Sequence, residues 1–167
     1  MTVAQQAPEQ FAEWVAARGG ALQRFAYLTT GSRDDAADLV QEALARAYPR
    51  WDGLAARGTA EAYVRRSIVN AAISRWRKDH RVSTGSIAEP PPVDDSAQQQ
   101  ADSDHAWALC SGLPPQQRAA VVLRFYEDLS FAEIARVLDC PESTARSHVH
   151  RALASLRAHL TTSQEGS

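Results

Sequence analysis

Cysteine is scarce in this chain of 167 residues: Cys110 and Cys140 stand far apart, each in an apolar helical context. That rules out a disulfide framework and any paired-cysteine zinc module, and leaves small buried thiols as the expectation. No apolar run approaches the roughly 18 residues that a membrane-crossing helix needs, and no leader-like segment opens the chain. Membrane insertion is therefore not expected, and a reducing cytoplasm is the expected location. Lysine is almost absent, with Lys78 the single one among 18 basic residues, so the positive charge is arginine, which also suits phosphate and base contacts. Neither charge is in excess. The net value of −2 defeats any whole-chain electrostatic case for nucleic acid. No Ser/His/Asp grouping, phosphate-cradling glycine loop or paired carboxylate in a plausible pocket is found, so no enzyme is expected and no cofactor or metal is called for. His148 and His150 lie two apart and point to different helix faces, which disfavours a zinc pair.

What is present is unevenly placed. Residues 57–81 carry seven basic groups against Glu61 and Asp79, whereas residues 82–105 carry five acidic groups and no arginine or lysine. Residues 82–103 hold Pro90, Pro91 and Pro92, a glutamine run at 98–100 and almost no apolar side chains, the composition of a flexible linker. The linker divides the chain into segments 8–81 and 104–160. Helical periodicity on both sides predicts an all-α protein of two small helical domains, each long enough to close a core of three or four helices.

In the first segment Met1–Ala7 is short and polar, and should fray. Phe11, Trp14 and Val15 begin an apolar stripe that Gly19-Gly20 should interrupt or kink. Leu22, Phe25, Ala26 and Leu28 resume it, and Gly31 ends it. Ser32 with Asp35 forms a capping box for a helix running to about Arg50. Its apolar face is Ala36, Leu39, Val40, Ala43, Ala47, Tyr48 and Trp51; Asp38, Gln41 and Glu42 lie off that face. These three fit either a solvated helix surface or a dock for a basic partner helix. Asp52–Gly58 reads as a loop. A helix from about Ala60 to Lys78 then buries Val64, Ile68, Ala71 and Ala72 and gathers Arg66, Asn70, Ser74 and Arg77 on one polar face. Trp51, Tyr63 and Trp76 flank it. Arginine with interleaved aromatics suits unpaired nucleic acid, and asparagine can bond an adenine edge; each aromatic taken singly also fits a core.

The second segment opens with Ala106, Trp107 and Cys110 on a helix. Leu113-Pro114-Pro115 stops and restarts the chain, and Arg118–Tyr126 should be helical with Val121, Val122 and Phe125 inward. Ser130 with Glu133 is a capping box ahead of the stripe Phe131, Ile134, Ala135 and Leu138. Asp139-Cys140 breaks the pattern, and Pro141 sits where a new helix begins. That helix buries Ala145, Val149, Ala152, Leu153 and Leu156 and shows Ser143, Arg146, Ser147, His150 and Arg151 on its opposite face. The pair reads as a helix–turn–helix whose second helix enters a major groove, or as a basic solvated face in a bundle. Thr161–Ser167 reads as a polar tail.

Taken together, DLVQEA (Asp38–Ala43), YVRRSIVNAAISRWRK (Tyr63–Lys78), LPPQQRAAVVLRFYEDLSFAEIARVL (Leu113–Leu138) and HRALASLR (His150–Arg157) resemble the extracytoplasmic-function sigma factors of the sigma-70 family, in order and spacing. The resemblance covers about residues 10–160. It implies a promoter-specificity subunit with a region 2-like and a region 4-like domain. Its partners would be core RNA polymerase, through the β′ clamp helices and the β flap, and promoter DNA; an anti-sigma factor is a further partner type that it admits. Asp38, Gln41 and Glu42 match polymerase-docking positions. Arg57, Arg65, Arg66, Asn70, Arg75, Trp76, Arg77 and Lys78 fall where the −10 element is met, with 52–58 as the loop that holds an unstacked base. Ser143, Thr144, Arg146, Ser147, His148, His150 and Arg151 fall where the −35 element is read. The chain departs from the family at Ala37, where glutamate is usual, at Asp139 in place of glycine, at Ser143-Thr144-Ala145, and at His148 in place of arginine. These last changes imply an altered −35 preference. From the residues alone, a free-standing helix–turn–helix regulator with a sensing or dimerising first domain stays open, as does a helical interaction module.

Overall fold

The structure, a computed structural model, describes residues 3–81 and 97–166, and every regular element among them is helical. Helix α1 (Val3–Thr30) runs unbroken through Pro8 and Gly19-Gly20, so the expected interruption does not occur, and the helix already exists where fraying was expected. Glycine inside a helix costs about 1 kcal/mol each. Packing on both sides outweighs that cost. Leu22, Phe25, Ala26 and Leu28 are buried after the glycines, and before them Phe11 meets Tyr48 and Trp51 edge-on at 5.1 and 5.3 Å. Gly31 ends α1 with φ of +72°.

Helix α2 (Arg33–Ala47) starts on half a capping box. The Ser32 hydroxyl accepts the Asp35 N–H at 3.2 Å, while the Asp35 carboxylate takes Arg75 at 3.2 Å instead of reaching back. A 3-10 turn (Tyr48–Arg50) leads straight into α3 (Trp51–Arg57), which corrects the expectation of a loop over 52–58. Trp51 and Leu54, one turn apart, are both buried, and burying them holds the segment helical despite Gly53. Gly58, left-handed at φ +66°, ends it. Helix α4 spans Ala60–Arg81 and buries Val64, Ile68, Val69 and Ala72, with Ala71 half-buried at the edge.

Of the linker expected over 82–103, residues 82–96 lie outside the described residues, and 97–103 are the start of α5 (Ala97–Cys110). Helix α6 (Pro115–Val121) begins three residues before the expected Arg118, directly at the second proline of the restart, and passes into a π turn (Val122–Tyr126). A π turn carries an extra residue per hydrogen-bonded loop, so the inward stripe slips. Leu123 is fully buried, and Phe125, expected inward, is 62 % exposed. Helices α7 (Phe131–Leu138) and α8 (Glu142–Glu165) complete the chain. The polar tail expected from Thr161 is helical to Glu165; Thr161, Thr162 and Ser163 donate their hydroxyls to carbonyls four residues back.

The two segments share one continuous apolar core. Helix α4 lies against α7, and α1 against α5 and α6. A Cβ on Gly31 would stand 2.2–2.7 Å from the Trp107 indole, so the end of α1 meets α5 with no room to spare. Beside it Tyr27 and Arg33 donate to the Asp104 carboxylate at 2.7 and 2.9 Å. Burial raises the Tyr27 phenol to about 12, and the hydrogen bond to Asp104 adds to the rise. Arg118 crosses the same boundary. It is 5 % exposed, and its guanidinium donates to the carbonyls of Thr29, Leu113, Cys110 and Ser111 at 3.0, 3.0, 3.3 and 3.3 Å. Four carbonyls and the Trp107 ring at 4.8 Å replace the water that a buried cation would otherwise lose.

Candidate nucleic-acid and polymerase interfaces

Helix α2 buries Ala36, Leu39, Val40 and Ala43, and the 3.6-residue period therefore turns Asp38, Gln41 and Glu42 outward. All three are exposed. Asp38 and Gln41 make no hydrogen bond or ion pair with another described residue, while Glu42 takes Arg75 at 3.4 Å. The patch is thus acidic at one end and half-compensated at the other.

Helix α4 buries one side and exposes Arg66, Asn70, Ser74 and Arg77 along the other, as the spacing predicts. Lys78 and Trp76 are also exposed, at the helix end. The other expected −10 residues do not all join this face. Arg65 is only 12 % exposed in its side chain, held between Glu61 at 2.8 Å and Glu127 at 2.5 Å. Arg66 is exposed but reaches Asp139, in the turn before α8, at 3.1 Å. Arg75 is spent on Asp35 and Glu42. Arg57 stands apart at the end of α3, donating to the Gly53 carbonyl at 3.1 Å. With Pro49, Arg50, Asp52, Thr59 and Tyr63 it rims an open recess of about 470 Å³. Trp51 belongs to the core.

The helix–turn–helix forms as its capping signal dictates. Glu133 accepts the Ser130 N–H at 2.7 Å and Ser130 Oγ accepts the Glu133 N–H at 3.2 Å. Ile134 and Val137 are the fully buried positions of α7; Val137 was not in the expected stripe. Asp139 adopts the left-handed conformation at φ +52°, which an aspartate tolerates better than most residues. Helix α8 then buries Ala145, Val149 and Ala152 and exposes Ser143, Arg146, Ser147, His150 and Arg151; Thr144 and His148 are half-buried. A recess of about 210 Å³ is lined by Ser143, Thr144, Ser147, His148 and Arg151. Burial first, and then the Arg151 charge, push the His148 imidazole below its ordinary 6.5, so it is neutral at neutral pH.

Two features escaped sequence reasoning. Phe131, expected as core, is half-buried and lies under two guanidiniums, Arg124 at 4.6 Å and Arg146 at 4.8 Å from its centroid. An apolar groove of about 350 Å³ opens between Leu28, Cys110, Val122, Phe125, Leu153 and Leu156, with Leu109 and Tyr126 also exposed beside it. The slipped phase at the π turn hid it.

The capping box carries its own pH signature. Bonds from the Ser130 N–H and hydroxyl hold the Glu133 carboxyl below its ordinary 4.5. A depressed carboxyl stabilises the fold above its unfolded value and loses that contribution as pH falls through the folded value. Between about pH 5 and 3 the parent should therefore lose more stability than Glu133→Gln, measured by thermal unfolding across that range.

Comparison with known proteins agrees with this two-part layout. The family models Sigma-70 region 2 and Sigma-70, region 4 match residues 14–82 and 107–156. The RNA polymerase sigma-E factor of Streptomyces avermitilis is 41 % identical over 153 residues, covering 90 % of this chain and 85 % of that protein. The ECF RNA polymerase sigma factor SigM of Mycobacterium tuberculosis is 31 % identical over 135 residues, covering 81 % and 69 %. Among solved structures, the sigma factor RpoE of Bartonella quintana, in complex with the anti-sigma factor NepR, superposes with a TM-score of 0.71 at 26 % identity, covering 92 % of this chain and 98 % of that one. The chain belongs to the sigma-70 family of RNA polymerase sigma factors, in its extracytoplasmic-function class. It is a promoter-specificity subunit, a partner of core RNA polymerase and promoter DNA, and the free-standing regulator is not favoured. No described helix is long and apolar enough to cross a membrane.

Proposed function

We propose how the named residues divide the work of a sigma factor. The exposed α2 patch of Asp38, Gln41 and Glu42 docks on the β′ clamp helices. The α4 face built on Arg66, Asn70 and Arg77, with Lys78 and Trp76 at its end, meets the −10 element. Arg57 and the recess beside it receive an unstacked base. On α8, Ser143, Thr144, Arg146, Ser147, His150 and Arg151 read the −35 element, and neutral His148 contributes as a hydrogen-bonding group rather than a charge. Arg65 and Arg75 act through ion pairs that shape the first domain and its boundary, not on DNA in the arrangement seen. Arg66 pairs with Asp139 of the second domain, so its use on DNA requires α4 and α7 to part. The apolar groove between Leu28, Phe125 and Leu156 takes an apolar segment of the β flap, and an anti-sigma factor would compete for it. The polymerase supplies the chemistry, in the cytoplasm; this chain supplies the address.

One observation carries the assignment to DNA. Helix α4 in one domain and α8 in the other each close the core with one side and leave an arginine-bearing polar side exposed. In reconstituted holoenzyme, Asn70→Ala should relax base preference only within the −10 element, and Arg146→Ala only within the −35 element. A well-formed bidentate contact discriminates by about 1–3 kcal/mol, or roughly 5- to 150-fold at the base it reads. Uniform loss of transcription, with no position-specific signature in either variant, would remove the assignment.

A further inference from the structure

We propose that Phe131 is a positioning residue for −35 readout: its ring is the platform from which Arg146 presents its guanidinium to the promoter. This rests on the reading of α8 given above and deepens it. Phe131 is the first residue of α7, so the two bonds of the Ser130–Glu133 box fix where its backbone starts. Phe131 is partly buried against the core, and its ring is held by Arg124, whose guanidinium lies 4.6 Å from the centroid while its Nη1–H donates to the Leu129 carbonyl at 2.9 Å. Arg146 crosses from α8 to the same ring at 4.8 Å, with its side chain 51 % exposed. Arg124 is therefore the anchored partner and Arg146 the one that solvent, or a groove, can reach.

The other contact of Arg146 is Glu142 at 3.3 Å, four residues back and equally exposed. Such pairs hold a long side chain weakly and are screened by salt. A ring does more for geometry. A guanidinium over an aromatic face keeps its in-plane N–H fork free, and that fork is what matches the O6 and N7 of guanine. Leucine at 131 would keep the apolar volume but lacks the quadrupole that attracts a cation. The ring thus narrows the directions in which Arg146 can point before DNA arrives.

The test uses the full chain with core polymerase and a promoter library randomised across the −35 element. Phe131→Leu should reduce discrimination by about two- to fivefold, the worth of an exposed cation–π contact. The loss should fall only at the base pairs where Arg146→Ala also acts, with the other −35 positions and the −10 element untouched. Phe131→Tyr should restore the profile, and Phe131→Leu should add nothing on an Arg146→Ala background. Thermal unfolding of each variant checks that the domain is intact. An even loss across all promoters, an unchanged profile in Phe131→Leu, or the same flattening from Glu142→Gln would overturn the proposal. If Arg146→Ala itself leaves no position-specific mark, the reading of α8 fails first, which is distinct from Phe131→Leu alone being silent.

Discussion

Reversing two charges on α2, Asp38→Arg with Glu42→Arg, is expected to abolish the complex with core RNA polymerase while leaving the chain folded. Both side chains point away from the core, and substitutions at such positions usually move stability by less than about 0.5 kcal/mol. Placing like charges across an interface costs several kcal/mol. At 1.4 kcal/mol per factor of ten, the affinity should fall at least about 100-fold. The two positions should not contribute equally. Asp38 has no partner among the described residues, so its whole charge is available to a basic helix, and Asp38→Arg alone should produce most of the loss. Glu42 already shares itself with Arg75, so Glu42→Ala should weaken the complex only slightly. Parent affinity should also decline as ionic strength rises, because the patch is exposed. Analytical size exclusion with purified core enzyme, followed by titration at several ionic strengths, reads all four. Unchanged affinity in the doubly reversed chain would take the dock off α2.

Whatever was local was legible. The Ser130–Glu133 box spans four residues and nothing else competes for its groups, so the start of α7 and the turn before α8 follow from the sequence. The polar face of Arg66, Asn70, Ser74 and Arg77 was legible for the same reason, since helical period alone sets it. Ser32–Asp35 shows the limit. The same motif forms only half its box because Asp35 has Arg75 within reach, 40 residues along the chain. Arg65 shows it more strongly: it sits in a run of arginines that suggests nucleic acid, yet Glu127, 62 residues away, claims it. Spacing cannot report such a partner. Phe125 was misplaced for another reason, since the π turn in which it lies shifts the helical phase there and leaves no mark in the residue types. Gly53 and the Gly19-Gly20 pair read as breakers because the propensity cost of glycine is local, whereas the burial that overrides it is tertiary.

The contact between the domains leaves no room for a side chain at Gly31. Gly31→Ala should loosen α5 and α6 from α1 and lower the thermal midpoint, while α2 and α3 keep their amide protection. Two effects add. Alanine in the left-handed region is disfavoured by about 1–2 kcal/mol, and an intruding methyl in a filled contact costs about 1–3 kcal/mol. The methyl would stand 2.2 Å from an indole that cannot simply step aside, because Arg118 lies over the Trp107 ring at 4.8 Å and Tyr27 beside it at 6.3 Å. Arg118 in turn is bound to the Thr29 carbonyl two residues before the glycine, so moving Trp107 disturbs the cation that spans the boundary. Pairing Gly31→Ala with Trp107→Leu separates the two costs. The smaller side chain relieves the clash, and protection of α5 should partly return while the backbone cost remains. Hydrogen exchange resolved by segment, read alongside thermal unfolding, measures both. If Gly31→Ala alone leaves the midpoint and the exchange of α5 unchanged, then α1 and α5 do not meet as closely as this structure has them.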